Sequence, residues 1–261
     1  MGTNERWTRL LAVLGERGSI DVTEAAQLLE VSTATVRRDL DELARQQLLT
    51  RTRGGAVLGG AAYDLPLRYK TARQAGEKQR IAEAAARLVP PGAVIGINGG
   101  TTTSEVAREL TVRTDLAEYI DEIGLTVVTN AVNIAAELAV RPYVKTVMTG
   151  GVARATSFEL TGPLAPLVLR ELSLDFTFLG VNAVDPVGGA FAHDEGEAEV
   201  NRALAERAER VIVVADSTKL GHRALAQVCA VERISTLVTD KDAPDELVEQ
   251  FVAEGVEVIC V

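Results

Sequence analysis

The sequence predicts an α/β protein in two parts: a small N-terminal winged helix-turn-helix, then a larger domain built on a mainly parallel sheet. Three observations carry this expectation. Apolar residues recur at helical spacing from Trp7 to Leu43, and a Gly-Gly turn between two short β-rich runs follows them. Beyond residue 92, β-rich runs alternate with helical stretches, the signature of a doubly wound sheet. Charge is also unevenly divided. Residues 1–80 hold 13 Lys+Arg against 10 Asp+Glu, although the 261-residue chain as a whole has a formal charge of −10. A locally basic surface on an acidic protein suits a polyanionic partner for the first part only.

Trp7, Leu10, Leu11 and Leu14 form the apolar stripe of a first helix. Ile20–Leu29 reads as a shorter second helix capped near Thr23, and Glu30-Val31 as the turn after it. The segment Val31-Ser-Thr-Ala-Thr-Val-Arg-Arg-Asp-Leu40 then has the features of a recognition helix. Ser32 can accept a hydrogen bond from a free amide of the first turn. Val31 and Val36 have the spacing of a hydrophobic staple, although no Glu or Gln completes a capping box. Val36, Leu40 and Leu43 face inward. Ala34, Arg38, Asp41 and Arg45 face outward, with Arg37 at the flank. Arginine on such a surface reads guanine or grips phosphate in a major groove. Leu48–Val57 reads as a β-hairpin, the wing, carrying Arg51 and Arg53. The candidate DNA-facing residues are therefore Ser32, Thr33, Ala34, Thr35, Arg37, Arg38, Arg51 and Arg53. The expected boundaries are 3–58 for this domain, with the helix-turn-helix at 20–39, then a Gly- and Pro-containing linker at 59–75 and a second domain at 76–261.

In the second domain a helix is expected over Lys78–Val89, ended by Pro90-Pro91-Gly92. The strand candidates are Ala93–Ile97, Leu125–Thr129, Val144–Thr149, Asp175–Val181, Val211–Ala215, Thr236–Thr239 and Val256–Cys260. Helices are expected at Thr102–Leu110, Val132–Val140, Leu164–Leu172, Glu195–Arg210 and Asp245–Glu254. Ligands of doubly wound sheets bind at the carboxyl ends of strands, beside helix N-termini. Several strand ends here carry polar loops. Asn98-Gly99-Gly100-Thr101-Thr102-Thr103 offers backbone amides and hydroxyls suited to an anion, phosphate above all. It lacks the P-loop and GxGxxG spacings, so no nucleotide is implied. Thr129-Asn130, Gly150-Gly151, Asn182 and Lys219 lie at the other strand ends.

These residues carry a family resemblance over nearly the whole chain. Residues 6–57, through Val31-Ser32, Thr35–Leu40, Leu43, Arg51 and Gly54-Gly55-Ala56, resemble the DNA-binding domain of the DeoR family of bacterial transcriptional regulators. Asn98–Thr102, Thr129-Asn130, Gly150-Gly151, Gly162-Pro163, Asp175–Gly180, Glu197-Ala198 and Asp216–Lys219 resemble its sensor domain. The resemblance implies a fold related to ribose-5-phosphate isomerase and a phosphorylated sugar as effector. It also implies that the Gly-Gly-Thr-Thr loop holds the phosphate and that Lys219 helps neutralise it. The chain departs from the family in having Arg53 where His is frequent before the Gly-Gly pair, Asn98 where Asp is frequent, and Asn201 where Lys is frequent.

Kinship to an isomerase leaves an enzyme open: an aldose–ketose isomerase of sugar phosphates with an accessory DNA-binding domain. Such chemistry needs a carboxylate base near the reacting carbons. The corresponding stretch here is Gly180-Val-Asn-Ala-Val-Asp185, with Asn182 at the base's place and no lysine before Gly188-Gly189. A sensor is expected, since a fold hosts many functions. Asp185, Asp194 and Glu195 remain as acids of this region, and Asp185 and Glu195 complete the candidate effector set. A DNA-binding architectural protein without a ligand is the third class, opposed by the clustered strand-end loops. No catalytic residue, cofactor or metal is expected; His193 and His222 are isolated in sequence. No apolar run reaches the ~18 residues of a membrane span. Cys229 and Cys260 lack CxxC spacing and read as buried free thiols. The expectation is a cytoplasmic repressor of sugar-metabolism genes. Its partners would be an operator in double-stranded DNA and a phosphosugar. The modest positive excess of the first part calls for a homodimer or homotetramer.

Overall fold

A computed structural model describes residues 2–46, 48–57, 67, 74–118 and 123–261. The chain divides into two compact units, Met1–Arg73 and Gln74–Val261. Most of the expected 59–75 linker lies outside the described residues.

In the first unit, α1 (Thr3–Arg17), α2 (Val22–Leu29) and α3 (Thr33–Arg45) pack over a small sheet of β1 (Ser19–Asp21), β2 (Thr50–Arg51) and β3 (Gly55–Val57), in the order β1-β3-β2. The amphipathic stripes meet in one core containing Leu10, Leu11, Leu14, Leu29, Val36, Leu40 and Leu43. Ser32 accepts from the Thr35 amide at 3.1 Å, as a cap should. Glu30 closes α2 in the left-handed conformation, φ 54°, which makes the turn tight. The start of the second helix differs from expectation. Ile20 belongs to β1, paired with Ala56, and the cap is Asp21, whose carboxylate accepts from the Thr23 amide at 2.7 Å. Ile20 is an apolar residue that two structures compete for; pairing with the wing decides it.

The second unit is a seven-stranded parallel sheet flanked by helices. In chain order its main elements are α4 (Ala75–Arg87), β4 (Val94–Ile97), α5 (Thr101–Val112), α6 (Thr114–Ala117), β5 (Leu125–Thr129), α7 (Val132–Leu138) and β6 (Val144–Met148). Next come a hairpin of β7 (Val152–Ala153) and β8 (Leu160–Thr161), then α8 (Leu164–Leu169), β9 (Leu174–Gly180), β10 (Ala183–Asp185) and β11 (Gly189–Ala192). The chain continues through α9 (Glu195–Arg207), β12 (Ala208–Val214), β13 (Ala226–Cys229), β14 (Ile234–Thr239), α10 (Asp245–Ala253) and β15 (Glu257–Cys260). The sheet order is β15-β14-β12-β9-β4-β5-β6. Alternation explains its two covered faces. Ile212 and Val214 join Ile95, Ile97 and Phe178 under α4, α5 and α7, while Val211 and Val213 join Leu174 and Leu179 under α8, α9 and α10. Strands buried on both sides read as unbroken apolar runs, which is why the sequence shows them.

Three expectations are corrected. The helix from Glu195 stops at Arg207 rather than Arg210, because Ala208 already pairs with Leu174 of β9. A second, antiparallel sheet, β10-β11-β13, follows the carboxyl end of β9. Cys260 is exposed, because β15 is the sheet's edge strand; Cys229 is buried and free, and burial pushes its thiol up to about 11.

Candidate functional site

In the first unit the outer face of α3 is solvent-facing. Ser32, Thr33, Ala34, Arg37 and Arg38 are exposed and Thr35 is half-buried, its hydroxyl 2.9 Å from that of Ser32. Beneath them lies a network that sequence periodicity does not display. Asp39 is buried and receives Arg6 Nε at 2.5 Å, Arg6 Nη2 at 2.9 Å and Trp7 Nε1 at 2.9 Å. Burial raises the Asp39 pKa, but the Arg6 and Trp7 donors outweigh it and hold the carboxyl below the ordinary range. This pins α3 to α1. The two wing arginines differ. Arg53 is exposed at the turn, whereas Arg51 pairs with Asp41 at 2.8 Å and donates to the Gly55 carbonyl, so it braces the wing against α3.

In the second unit, parallel pairing puts the carboxyl ends of β4, β5, β9 and β12 on one edge of the sheet. Asn98 leaves β4 almost wholly buried. Its Nδ2 donates to the Gly180 carbonyl at 2.9 Å and its Oδ1 accepts from the Gly180 amide at 2.8 Å. An amide serves both groups whereas an ionised carboxylate has no donor for the carbonyl, which gives a physical reason for Asn rather than Asp at this position. Gly99 and Gly100 then turn the chain into α5. A side chain at Gly99 would put Cβ 2.2 Å from Glu159 Cγ, so only glycine fits. Gly100 caps α5, and the hydroxyls of Thr103 and Ser104 bond its carbonyl at 3.2 and 2.7 Å. Thr101 is half-buried; Thr102 and Thr103 are buried. The first-turn amides of α5 have no intrahelical acceptor and carry the positive end of the helix dipole.

The residue at the centre of this edge is one the sequence reading did not select. Glu159, 3% exposed, accepts from the Gly99 amide at 3.0 Å and from Asn130 Nδ2 at 3.3 Å. Glu197 of α9 is its charged neighbour. Burial first, then the charge and hydrogen bond of Glu197, push Glu159 up to about 8. Glu197 lies 3.1 Å from Arg154 Nε, and Arg154 also pairs with Asp194, the N-cap of α9. The acid that enters the site from α9 is thus Glu197; Glu195, the expected one, is exposed. The signal was available in the helical phase, because Glu197 lies three and seven positions before Val200 and Leu204, on the face that α9 buries.

The other expected residues divide. Thr129 and Asn130 are fully buried in the β5–α7 turn, where Thr129 Oγ1 accepts from the Ala131 amide at 3.0 Å and Asn130 Nδ2 also reaches the Leu160 carbonyl at 3.3 Å. Gly150 and Gly151 start the β7–β8 hairpin; a Cβ on Gly151 would stand 2.6 Å from the Thr161 carbonyl, so its need for glycine is one of packing. Asn182 accepts from the His193 amide at 2.9 Å and ties β9 to β11. Asp185 accepts from the Gly188 amide at 2.6 Å and from Arg223 Nη2 at 2.8 Å. Burial raises Asp185, but these donors prevail and hold it below the usual carboxylate range. Lys219 ends a short 3₁₀ turn, Ser217–Lys219, after β12, two strands from β4.

The comparisons with known proteins agree with this architecture. Residues 6–60 match the DeoR-like helix-turn-helix domain and residues 73–241 the DeoR C terminal sensor domain. The HTH-type transcriptional repressor CsqR of Escherichia coli K12 is 32% identical, over 98% of this chain and 95% of its own. The glycerol-3-phosphate regulon repressor of the same strain is 30% identical, over 94% of this chain and 93% of its own. Among solved structures, ribose 5-phosphate isomerase A of Methanocaldococcus jannaschii aligns with a TM-score of 0.42 and 20% identity, over 56% of this chain and 55% of its own. The chain belongs to the DeoR family, and is a DNA-binding transcriptional regulator rather than an enzyme.

Proposed function

We propose that the protein represses genes of carbohydrate metabolism and leaves its operator when a phosphorylated sugar occupies the edge of the sensor sheet. The observation that carries the reading is the N-terminus of α5, whose first-turn amides lack intrahelical acceptors and suit a phosphate, on a turn that the hydrogen bonds of Asn98, Asn130 and Glu159 hold in place. A relative named for glycerol-3-phosphate supports the same ligand chemistry. Lys219 is the cation we assign to the phosphate. Asp185 is engaged with Arg223 and Asn182 with the backbone, so we assign both to support of the rim. On the DNA side we assign base contacts to Arg37 and Arg38, with Ser32–Thr35 at the groove entrance. Arg53 meets the DNA backbone, and Arg51 positions the wing. The working form is a homodimer or homotetramer joined through residues 76–261, reading repeated half-sites. Release is linkage: a ligand favouring the form that does not bind DNA lowers operator affinity by the ratio of its affinities for the two forms. Sequencing genomic DNA retained by the purified protein identifies the operator. A panel of phosphosugars and their unphosphorylated parents, added to that complex, then tests the effector class. Release by the unphosphorylated sugars alone would overturn it.

A further inference from the structure

The buried acids beside the phosphate loop have a charge problem. Glu159 and Glu197 are both buried, Arg154 is turned to Glu197 and to half-buried Asp194, and the site proposed above must admit a dianion against the same wall. The β4–α5 turn (Asn98–Thr103) and the β5–α7 turn (Thr129–Ala131) bring no titratable side chain to Glu159. Glu195 of α9 is exposed. The geometry solves the problem with one proton. Oε1 of Glu159 takes two neutral donors, the Gly99 amide and Asn130 Nδ2; they favour the ionised form but are outweighed by burial and by Glu197. The charge of neighbouring Glu197 opposes ionisation of this buried carboxyl. Glu197 is 8% exposed, and its Oε1 lacks an aligned donor despite Arg154 Nε at 3.1 Å. A proton on Glu159 relieves the opposition of two buried negative groups.

We propose that Glu159 is a specificity-determining residue of the effector site: it must carry its proton for a dianion to sit at Asn98–Thr103, so effector binding and protonation of Glu159 are linked. The inference rests on the phosphate site assigned above. With Glu159 neutral, the wall presents no charge next to the loop, and the α5 amides face the anion unopposed. With Glu159 ionised, a carboxylate that already holds the Gly99 amide repels the incoming dianion. Binding of the anion holds the proton in place, because the two negative groups oppose each other in a buried setting. Affinity therefore falls as pH rises through the value of about 8 that burial and Glu197 give this carboxyl. The regulator answers a given effector concentration less well in alkaline conditions.

The test uses the full-length protein and sulfate, a dianion that does not titrate in this range. Calorimetric sulfate affinity from about pH 6.5 to about pH 9.5 is expected to be level at first and then to drop about tenfold per pH unit, as one linked proton requires. Glu159→Gln keeps the acceptor for Gly99 and a donor toward Glu197, and is expected to flatten the profile. Glu197→Gln removes the neighbouring charge and is expected to move the break to lower pH. An infrared spectrum at neutral pH should show a protonated buried carboxyl that is missing in Glu159→Gln, a readout that needs no ligand. If that band is absent, or if wild type and Glu159→Gln share one pH profile, the proton-linked role of Glu159 is wrong while the phosphate site stands. If the band is present but the folded protein binds no sulfate at any pH, the phosphate site itself is wrong and the linkage falls with it.

Discussion

Asn98 shows how much one side-chain atom can decide. It closes the ends of β4 and β9 by giving one hydrogen bond and taking another from Gly180. Asn98→Asp keeps the size but sets a carboxylate against the Gly180 carbonyl, at an expected cost of about 1–3 kcal/mol in a chemical denaturation curve. Asp39 makes a parallel case in the first unit. Losing its carboxylate strands Arg6 and Trp7, so Asp39→Ala should destabilise that unit by about 2–4 kcal/mol. Its pH dependence has a defined sign. The folded pKa lies below the ordinary value of 3.8, so the stabilisation is full above 3.8 and is lost as pH falls through the folded value. Trp7 is the single tryptophan and donates to Asp39, so its fluorescence reports the loss during acid titration. Glu159 has the opposite sign. A carboxyl raised from 4.5 to about 8 favours the folded state at low pH, and that advantage drains away as pH rises between those values. Residue patterns exposed Asn98 and the threonines but not Asp39 or Glu159. Both lie in stretches whose burial depends on partners more than thirty positions away, Arg6 for one and Gly99 for the other.

At the scale of elements, α3 was legible because its signals are local: a capping serine, a staple and an inward stripe. Ser32→Ala should cost about 1 kcal/mol of stability through the lost cap. Arg38→Ala should weaken operator binding by about 1–3 kcal/mol if it makes a bidentate base contact, with discrimination lost at one base position. Arg53→Ala should lower affinity evenly across sequences. Mobility shifts on matched and scrambled sites separate the two, and an unchanged affinity in a folded Arg37/Arg38 double alanine variant would overturn the assignment. The parallel strands were also legible, since burial on both faces writes them as apolar runs. The β7–β8 hairpin and β10-β11-β13 sheet were not. Their strands are two to four residues long and are defined by pairing across the chain rather than by period. Glu159 stands immediately before β8, so missing the hairpin meant missing the residue.

At the scale of the molecule, the division of fold describes a regulator in which one unit is the DNA-binding domain and the other the sensor domain. No helix among the described residues is long and apolar enough to cross a membrane. A first unit of modest positive excess should not hold an operator alone at physiological salt, where counterion effects weaken phosphate contacts. Analytical ultracentrifugation is expected to show a homodimer or homotetramer; a monomer binding one half-site tightly would contradict this. The central claim is that phosphate recognition at the β4–α5 turn releases the operator. It is tested most directly by fluorescence anisotropy of labelled operator DNA titrated with a phosphosugar and its unphosphorylated parent, using wild type, Thr101→Val and Lys219→Ala. The phosphosugar alone is expected to release DNA from wild type, and both variants are expected to bind DNA but no longer let go. Release of both variants at the wild-type effector concentration would contradict the central claim.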